Sequence, residues 1–221
     1  MHRSSAVVAE RLRISEIFLS LQGESTSVGL PTVFVRLTGC PLRCRYCDTQ
    51  YAFRGGVIME LPSLLGRVAQ YGVRHVTVTG GEPLAQPACL QLLEQLCDAG
   101  YQVSLETSGA LDVGCVDARV VKVLDLKTPG SGEVERNLYQ NLEYLAPRDQ
   151  VKFVICDRAD YEWARRQIGE RRLAGRCELL FSPAHGRQDA TELAEWILAD
   201  RLSVRFQVQL HKILWGDEPG R

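Results

Sequence analysis

Cys40, Cys44 and Cys47 lie within eight residues and are the part of this sequence best suited to chemistry. A structural zinc site takes four ligands, usually as two spaced pairs, and an electron-transfer iron–sulfur cluster usually takes four thiolates. Residues 38–49 offer no further Cys or His. Three thiolates on one short loop favour a [4Fe–4S] cluster that keeps one iron open for a small molecule. Buried thiols, or a zinc site with one distant ligand, are the alternatives.

The run Gly80-Gly81-Glu82-Pro83 is a second candidate for chemistry, because it directly follows an apolar, β-rich segment. Glycines allow the backbone to approach a ligand closely, and a neighbouring carboxylate can accept a hydrogen bond from an ammonium group. A plain Gly-Gly turn closed by Glu-Pro is the alternative. Together with the three cysteines upstream, the run is interpreted as a ligand-binding segment.

Length and composition are those of an ordinary globular protein. The 221 residues fit one domain, residues 1–221, and are 45% hydrophobic and 24% charged. A net charge of -1 and a pI near 6.4 give no support for nucleic-acid binding, which favours a basic surface. No run of about 18 apolar residues is present, so no membrane span is predicted.

Cysteine usage indicates a reducing compartment. The segment Met1–Arg13 lacks the apolar core of a secretory signal, and eight cysteines without such a signal predict a cytoplasmic protein rather than a disulfide framework. The five cysteines outside the loop are interpreted as core or surface thiols: Cys89, Cys97, Cys115, Cys156 and Cys177.

Short apolar runs alternate with helical patterns, which predicts βαβ units and a parallel sheet. The predicted strands are Thr32–Leu37, His75–Thr79, Gln102–Glu106, Val120–Leu126, Val151–Ile155, Glu178–Phe181 and Arg205–Gln209. The predicted helices are Leu61–Tyr71, Ala88–Ala99, Glu135–Leu145, Ala159–Glu170 and Thr191–Asp200.

Nearly every predicted strand ends in a polar or Gly-rich cluster. In parallel α/β barrels the functional groups collect at the carboxyl ends of the strands, so these clusters are expected on one rim. About six or seven strands are too few for a closed eight-stranded barrel. The predicted fold class is therefore α/β, a partial (open) parallel β/α barrel. The clusters include Thr79–Pro83, Glu106–Gly109, Asp125–Lys127, Lys152-Phe153, Ser182-Pro183 and Gln209–Lys212.

The cysteine spacing resembles that of radical S-adenosylmethionine (SAM) enzymes, and a longer pattern is more selective. The chain carries Leu21-Gln22-Gly23-Glu24, a Gly-x-Pro at Gly29–Pro31, Arg36 four residues before Cys40, and Cys47-Asp48-Thr49. This combination resembles the 7-carboxy-7-deazaguanine synthases, radical SAM enzymes of queuosine (deazapurine) biosynthesis. The likeness is weakest from Glu133 to Arg176, and Ser25 stands where many relatives have Gly.

The resemblance implies a role for each group of residues. Cys40, Cys44 and Cys47 would hold the [4Fe–4S] cluster, and Thr49 would be the protein ligand of a Mg²⁺ ion. SAM would contact Tyr46, Cys47, Asp48, Gly81, Glu82, Gly109, Asp125, Leu126 and Lys127. The pterin substrate would contact Leu21, Gln22, Gly23, Arg36 and Thr107.

The implied activity is that of a carbon–nitrogen lyase. Radical ring contraction would convert 6-carboxy-5,6,7,8-tetrahydropterin to 7-carboxy-7-deazaguanine with loss of ammonia. A flavodoxin or ferredoxin reductant and a homodimer are expected from the resemblance. The rival functions are a glycyl-radical-enzyme activase, which does not explain Leu21–Glu24 with Arg36, and a non-catalytic metal-binding module, which does not require Gly80–Glu82.

Two side chains carry expectations from the residues themselves. Strand alternation places Phe34, Arg36 and Thr38 on one face, and a buried Arg36 would need an anion such as the substrate carboxylate. His211 and Lys212 follow the last predicted strand, where His211 is either a pocket residue or a satisfied core histidine. The remaining histidines, His2, His75 and His185, are expected to be structural or exposed.

Overall fold

The computed structural model describes residues 10–216, 218 and 220. Its strands are β1 (Arg11–Leu21), β2 (Pro31–Leu37), β3 (Val57–Glu60), β4 (His75–Gly80), β5 (Gln102–Thr107), β6 (Val121–Asp125), β7 (Gln150–Ile155), β8 (Glu178–Pro183) and β9 (Arg205–Phe206). Its α-helices are α1 (Leu61–Ala69), α2 (Cys89–Asp98), α3 (Arg158–Glu170), α4 (Ala190–Ala199) and α5 (Leu210–Trp215). Residues 1–9, which include His2 and most of the segment Met1–Arg13, lie outside the described residues.

All described strands belong to one sheet in the order β3-β1-β2-β4-β5-β6-β7-β8-β9. Every pairing from β2 through β9 is parallel, whereas β1 pairs antiparallel with both β2 and β3. The sheet does not close, because β3 and β9 are its two edges. This open arrangement confirms the predicted α/β class.

The hydrophobic core lies between the sheet and the helices. Phe153 of β7 and Phe181 of β8 are fully buried and contact each other edge to face, with ring centroids 5.4 Å apart. Tyr161 of α3 packs on Phe181 and donates a hydrogen bond to the Trp196 carbonyl of α4 at 2.9 Å. Trp163 and Trp196 both pack against this core.

Helix ends follow the local signals in the sequence. Pro62 occupies the first turn of α1, where a missing N–H costs nothing. Asp189 accepts a hydrogen bond from the Glu192 amide at 2.9 Å and caps α4. Asp157 caps α3 in the same way through the Asp160 amide at 2.9 Å. Four of the five predicted helices form close to their expected bounds, and three of them carry such a local signal at the N-terminus.

The predicted helix Glu135–Leu145 is wrong. The chain forms two short 3-10 turns instead, Val134–Arg136 and Tyr139–Tyr144. The Asn137 side chain pairs with the backbone N–H and C=O of Lys127, at 2.9 and 2.8 Å. The Asn141 amide nitrogen donates to the carbonyls of Gly109 and Leu111 at 3.0 and 2.8 Å. These side-chain bonds to the backbone compete with helix formation.

The last predicted strand, Arg205–Gln209, is shorter than expected because only Arg205 and Phe206 pair with β8. Beyond them, the Leu210 amide donates to the Gly23 carbonyl at 3.0 Å, and the chain turns into α5. Strands β1 and β3 were not predicted. No helix among the described residues is long and apolar enough to cross a membrane.

Candidate active site

A cavity of about 590 Å³ opens at the carboxyl ends of the parallel strands, within the size range of small-molecule sites. Every strand from β4 to β8 contributes to its wall, which confirms the expected rim. The wall includes Thr79, Gly80, Gly81, Glu106, Thr107, Ser108, Asp125, Lys127, Lys152, Ser182 and Pro183. Parallel strands deliver their ends to one edge of the sheet, so residues far apart in sequence meet there.

The three cysteines of the loop after β2 line this cavity together. Backbone hydrogen bonds hold the loop: Cys47 N–H donates to the Cys44 carbonyl at 3.1 Å, and Arg45 N–H donates to the Ser131 carbonyl at 2.9 Å. All eight cysteines of the chain are free thiols, so no disulfide competes for the loop cysteines. The five remaining cysteines do not line the cavity, as their interpretation as core or surface thiols requires.

The donor set fits a cluster better than a single ion. Within the described part of the chain, no three His, Cys, Asp or Glu side chains are grouped closely enough to hold one metal ion. Burial raises the pKa of Cys40 and Cys47 and raises the pKa of Cys44 to about 11, while the Lys127 ammonium opposes these shifts. Thiols held in this way are protonated until a metal binds and deprotonates them. Three separate thiolates on one cavity wall suit a group with several irons.

The wall beside the cysteine loop has buried polar atoms that require a partner. Tyr46 Oη and Asp125 Oδ1 are buried, and neither has a hydrogen-bond partner among the described residues. Asp125 is nevertheless ionised: burial raises its pKa, but the ammoniums of Lys127 and Lys152 outweigh burial and hold it below its usual value. Buried polar atoms are normally satisfied, so a polar ligand is expected to bond here.

Gly81 lies against the cysteine loop so closely that a side chain would not fit. A Cβ at this position would collide with the Gly39 carbonyl oxygen and fall 2.7 Å from Cys40 Cβ. The Glu82 amide donates to the same Gly39 carbonyl at 2.8 Å. The glycine pair therefore fixes the β4 end to the cysteine loop, in addition to offering backbone to a ligand.

Glu82 is fully buried, and its carboxylate is occupied by the protein itself. It accepts hydrogen bonds from Thr107 Oγ1 at 2.9 and 3.0 Å, from the Ser108 amide at 2.7 Å and hydroxyl, and from the Leu84 amide at 3.1 Å. The predicted SAM contacts Glu82, Gly109 and Leu126 are not among the residues that line the cavity, whereas the other predicted SAM contacts are. A SAM contact for these three residues stays a prediction.

The predicted substrate residues also line the cavity: Leu21, Gln22, Gly23, Arg36 and Thr107. Gln22 is buried, and its amide nitrogen donates to Thr77 Oγ1 at 3.1 Å and to Glu106 at 3.4 Å. A Cβ on Gly23 would collide with the His211 ring, so a side chain here would displace His211. His211 is a cavity residue, and burial lowers its pKa against the attraction of Glu24 and Asp48.

Arg36 has an anionic partner within the protein. Its Nε donates to Glu16 Oε1 at 2.6 Å, across the β1–β2 pair. Sequence reasoning placed only a substrate carboxylate there, because β1 was not recognised as a strand.

Thr49 also lines the cavity, and its hydroxyl donates to Asp48 Oδ1 at 2.8 Å. Gln209 and Lys212 reach the other Asp48 oxygen, at 3.3 and 3.8 Å. A hydroxyl beside a carboxylate is a set of oxygen donors of the kind that Mg²⁺ prefers.

Glu106 and Lys152 are cavity residues that sequence reasoning placed on the rim but assigned no role. Lys152 pairs with Glu24 Oε2 at 2.7 Å and with Asp125 Oδ2 at 3.4 Å. Burial lowers the pKa of Lys152, but these two carboxylates outweigh burial and raise it above its usual value. The positions of Glu106 and Lys152 at strand ends are the sequence feature that could have identified them as site residues. His185, expected to be structural or exposed, is exposed and also lines the cavity.

Comparison with known proteins agrees with this geometry. Residues 34–128 match the model of the Radical SAM superfamily. The "7-carboxy-7-deazaguanine synthase" of Chlorobaculum tepidum is 45% identical over 210 residues, which cover 94% of this chain and 96% of that protein. The protein of the same name from Koribacter versatilis is 43% identical over 222 residues, covering 94% and 98%.

A solved structure has the same fold as this chain. The crystal structure of QueE from Escherichia coli superposes with a TM-score of 0.78 at 26% identity, and the match covers 95% of this chain and all of that one. The partial barrel of the radical SAM type is therefore confirmed. With relatives this similar over nearly their whole length, the chain belongs to the family of 7-carboxy-7-deazaguanine synthases, which are radical SAM enzymes.

Proposed function

We propose that this enzyme contracts the pterin ring of 6-carboxy-5,6,7,8-tetrahydropterin to form 7-carboxy-7-deazaguanine and ammonia, a step of queuosine biosynthesis. The near full-length similarity to relatives named for this product carries the proposal. Substrate and products balance without net oxidation. The enzyme is a carbon–nitrogen lyase that uses a [4Fe–4S] cluster, SAM and Mg²⁺.

The cofactors supply the radical chemistry, and the protein supplies position and charge. When bound, the cluster and SAM provide one electron and a carbon radical that removes a hydrogen atom from the substrate. Cys40, Cys44 and Cys47 would hold the cluster through thiolates, and Tyr46 and Asp125 would bond to SAM from the same wall. Their unpaired buried oxygens support that assignment.

The substrate would bind on the wall formed by the loop after β1. Arg36 would bind the substrate carboxylate through its planar fork of donors, and Gln22 with the Gly23 backbone would contact the pterin edge. Thr49 would bind Mg²⁺ next to that carboxylate. Lys152 would neutralise Glu24 and Asp125 and so hold the loop after β1, which carries Glu24, against the cavity.

Three further properties are part of the proposal. A flavodoxin or ferredoxin would deliver the electron, as the membership of this family leads us to expect. The enzyme would act as a homodimer in the cytoplasm, where eight free cysteines persist. Residues 1–221 would form one domain, which the single sheet of the described residues supports.

The test is an anaerobic assay of reconstituted enzyme with dithionite, SAM, Mg²⁺ and 6-carboxytetrahydropterin, with mass spectrometry of the products. Formation of 7-carboxy-7-deazaguanine is expected. If 5′-deoxyadenosine forms without that product, the radical chemistry stands but the substrate is wrong, and activation of a glycyl-radical enzyme becomes the next hypothesis. If protein with an intact, reducible cluster gives neither compound, a non-catalytic metal-binding module replaces the enzyme.

A further inference from the structure

A β-bulge in β1 determines which way Glu16 points. Ile14 pairs with Leu37, but two residues later Glu16 pairs with Arg36, so Ser15 is the extra residue of the bulge. In a regular strand Ile14 and Glu16 would share a face, and Ile14 lies in the core. The bulge reverses this alternation and turns Glu16 to the face of Arg36. Bulges of this kind are used near active sites to redirect a side chain.

Other contacts hold the bulge and the pair in place. Ser15 Oγ and Thr38 Oγ1 are 2.7 Å apart, and the Thr38 amide donates to the Arg13 carbonyl at 2.9 Å. Two residues beyond Thr49, the Tyr51 hydroxyl donates to Glu16 Oε1 at 2.7 Å. Glu16 therefore receives donors from two directions, and its position does not depend on Arg36 alone.

The hydrogen bond to Glu16 uses only one part of the guanidinium group. Arg36 Nε is the donor, at 2.6 Å, and the two terminal Nη groups have no hydrogen-bond partner among the described residues. The rings of Phe18 and Tyr51 flank the guanidinium, with centroids 5.8 and 5.9 Å from Arg36 Cζ. A carboxylate is bound best by two parallel N–H groups of one guanidinium, and the free pair is of this type.

Glu16 itself lies outside the cavity. Arg36, Phe18 and Tyr51 line the cavity, but Glu16 does not. The side chains of Arg36 and Glu16 are 16% and 21% exposed, so the pair is substantially shielded from solvent. A partner that stays outside the cavity and binds the inner nitrogen can remain in place when an anion binds the outer two.

We infer that Glu16 is a positioning residue that holds Arg36 by Nε, so that both terminal amino groups face the carboxylate of the substrate. The inference rests on the proposed function, because it requires a substrate with a carboxylate at this wall. The opposite possibility is that Glu16 occupies the carboxylate site and must be displaced. The two ideas predict opposite changes in affinity.

The experiment measures binding of two fluorescent probes to reconstituted enzyme with SAM and Mg²⁺. One probe is 6-carboxypterin, and the other is pterin, which lacks the carboxylate. Glu16→Ala removes the partner, and Glu16→Gln keeps an acceptor but removes the charge. Glu60→Gln is the matched control. Glu60 of β3 forms an exposed ion pair at 3.0 Å with Arg11, which lies on β1 as Glu16 does.

A charge-assisted hydrogen bond of this kind corresponds to an affinity change of about tenfold or more. We expect Glu16→Ala to raise the Kd for 6-carboxypterin, and the KM for the substrate, by about that factor. Glu16→Gln should have a smaller effect in the same direction. The Kd for pterin should change little in either variant, and Glu60→Gln should leave both probes unaffected.

Tighter binding of 6-carboxypterin by the Glu16 variants would overturn the inference in favour of displacement. Equal losses for both probes, with a lower melting temperature, would mean that Glu16 only supports the fold. Glu16→Gln decides the question if Glu16→Ala does not fold. If the wild-type enzyme neither binds 6-carboxypterin nor converts 6-carboxytetrahydropterin, the proposed function fails and this inference fails with it.

Discussion

The Lys152 ammonium and the Glu24 carboxylate form an ion pair at 2.7 Å, which joins strand β7 to the loop that follows β1. The same ammonium lies 3.4 Å from Asp125, which lies beside the cysteine loop. One cation therefore connects the loop proposed to bind the substrate with a residue proposed to bind SAM. Gln209, which precedes α5, adds a bond to the other Glu24 oxygen at 2.9 Å.

Lys152→Met is expected to destabilise the enzyme and to weaken substrate binding. Removal of one member of a buried ion pair costs about 3–5 kcal/mol, because the partner charge is left uncompensated. Here Glu24 loses its ion-pair partner Lys152, whereas Asp125 keeps Lys127 at 3.1 Å, so the loop after β1 that carries Glu24 should open. Urea unfolding and the Kd for 6-carboxypterin are the measurements.

Lys122→Met is the control for Lys152→Met. Lys122 pairs with Asp149 at 2.8 Å, is somewhat more buried than Lys152, and does not line the cavity. It should lose similar stability but keep its affinity for the pterin. If both variants lose affinity to the same extent, Lys152 has no particular role in the site.

Glu106→Gln is expected to gain stability relative to the wild type as the pH rises. Burial raises the pKa of Glu106, and the Glu24 carboxylate raises it further, against the attraction of Lys152. A carboxyl group whose pKa is higher in the folded state than in the unfolded state contributes stability at a pH below its unfolded pKa of 4.5. This contribution is lost as the pH rises through the folded-state pKa. Denaturant titrations from pH 4 upward give the difference between the two proteins. A constant difference, or one that moves against the variant, would contradict a raised pKa.

Gly81→Ala is expected to lower the iron content of the reconstituted enzyme. The new methyl group would collide with the Gly39 carbonyl and with Cys40, so the cysteine loop must move. Gly66→Ala is the matched control, because a Cβ on Gly66 of α1 meets no atom within 4 Å. Iron per chain and the visible absorbance of the cluster are the readouts. Full cluster loading in Gly81→Ala would show that the loop tolerates this displacement.

Replacement of Cys40, Cys44 and Cys47 together by Ala is expected to abolish the brown colour, SAM cleavage and product formation. The thiolates are the only protein ligands proposed for the cluster. Cys115→Ala, an exposed cysteine away from the cavity, should retain all three properties. Retained SAM cleavage in the triple variant would refute the cluster assignment.

Much of the fold was predictable because its signals are local. Each of the seven predicted strands is present, and together they form the parallel part of the sheet. Helix caps such as Asp189 and turn residues such as Pro62 act on their immediate neighbours, so they can be identified without the tertiary structure. The rim also follows from chain order, because parallel strands end at the same edge.

Strand β1 was missed because its own bulge hides it. Before Ser15 the apolar residues Leu12 and Ile14 occupy even-numbered positions, and after it Ile17, Leu19 and Leu21 occupy odd-numbered ones. A fixed two-residue period therefore fails across Ser15. The edge strand β3 has only four residues and little apolar signal. The segment 135–145 was predicted as a helix because its two asparagines find backbone partners only in the folded protein.

The sequence alone determined the cysteine loop, the glycine pair after β4 and the carboxyl-end rim, since each is encoded within a few neighbouring residues. Only the tertiary structure decided which charges meet. Glu82 turned inward to Thr107 and Ser108, Lys152 paired with Glu24, and Glu16 took Arg36 by its inner nitrogen. Such pairings depend on strand register and burial, because a charged group in a shielded site needs a partner that may be distant in sequence.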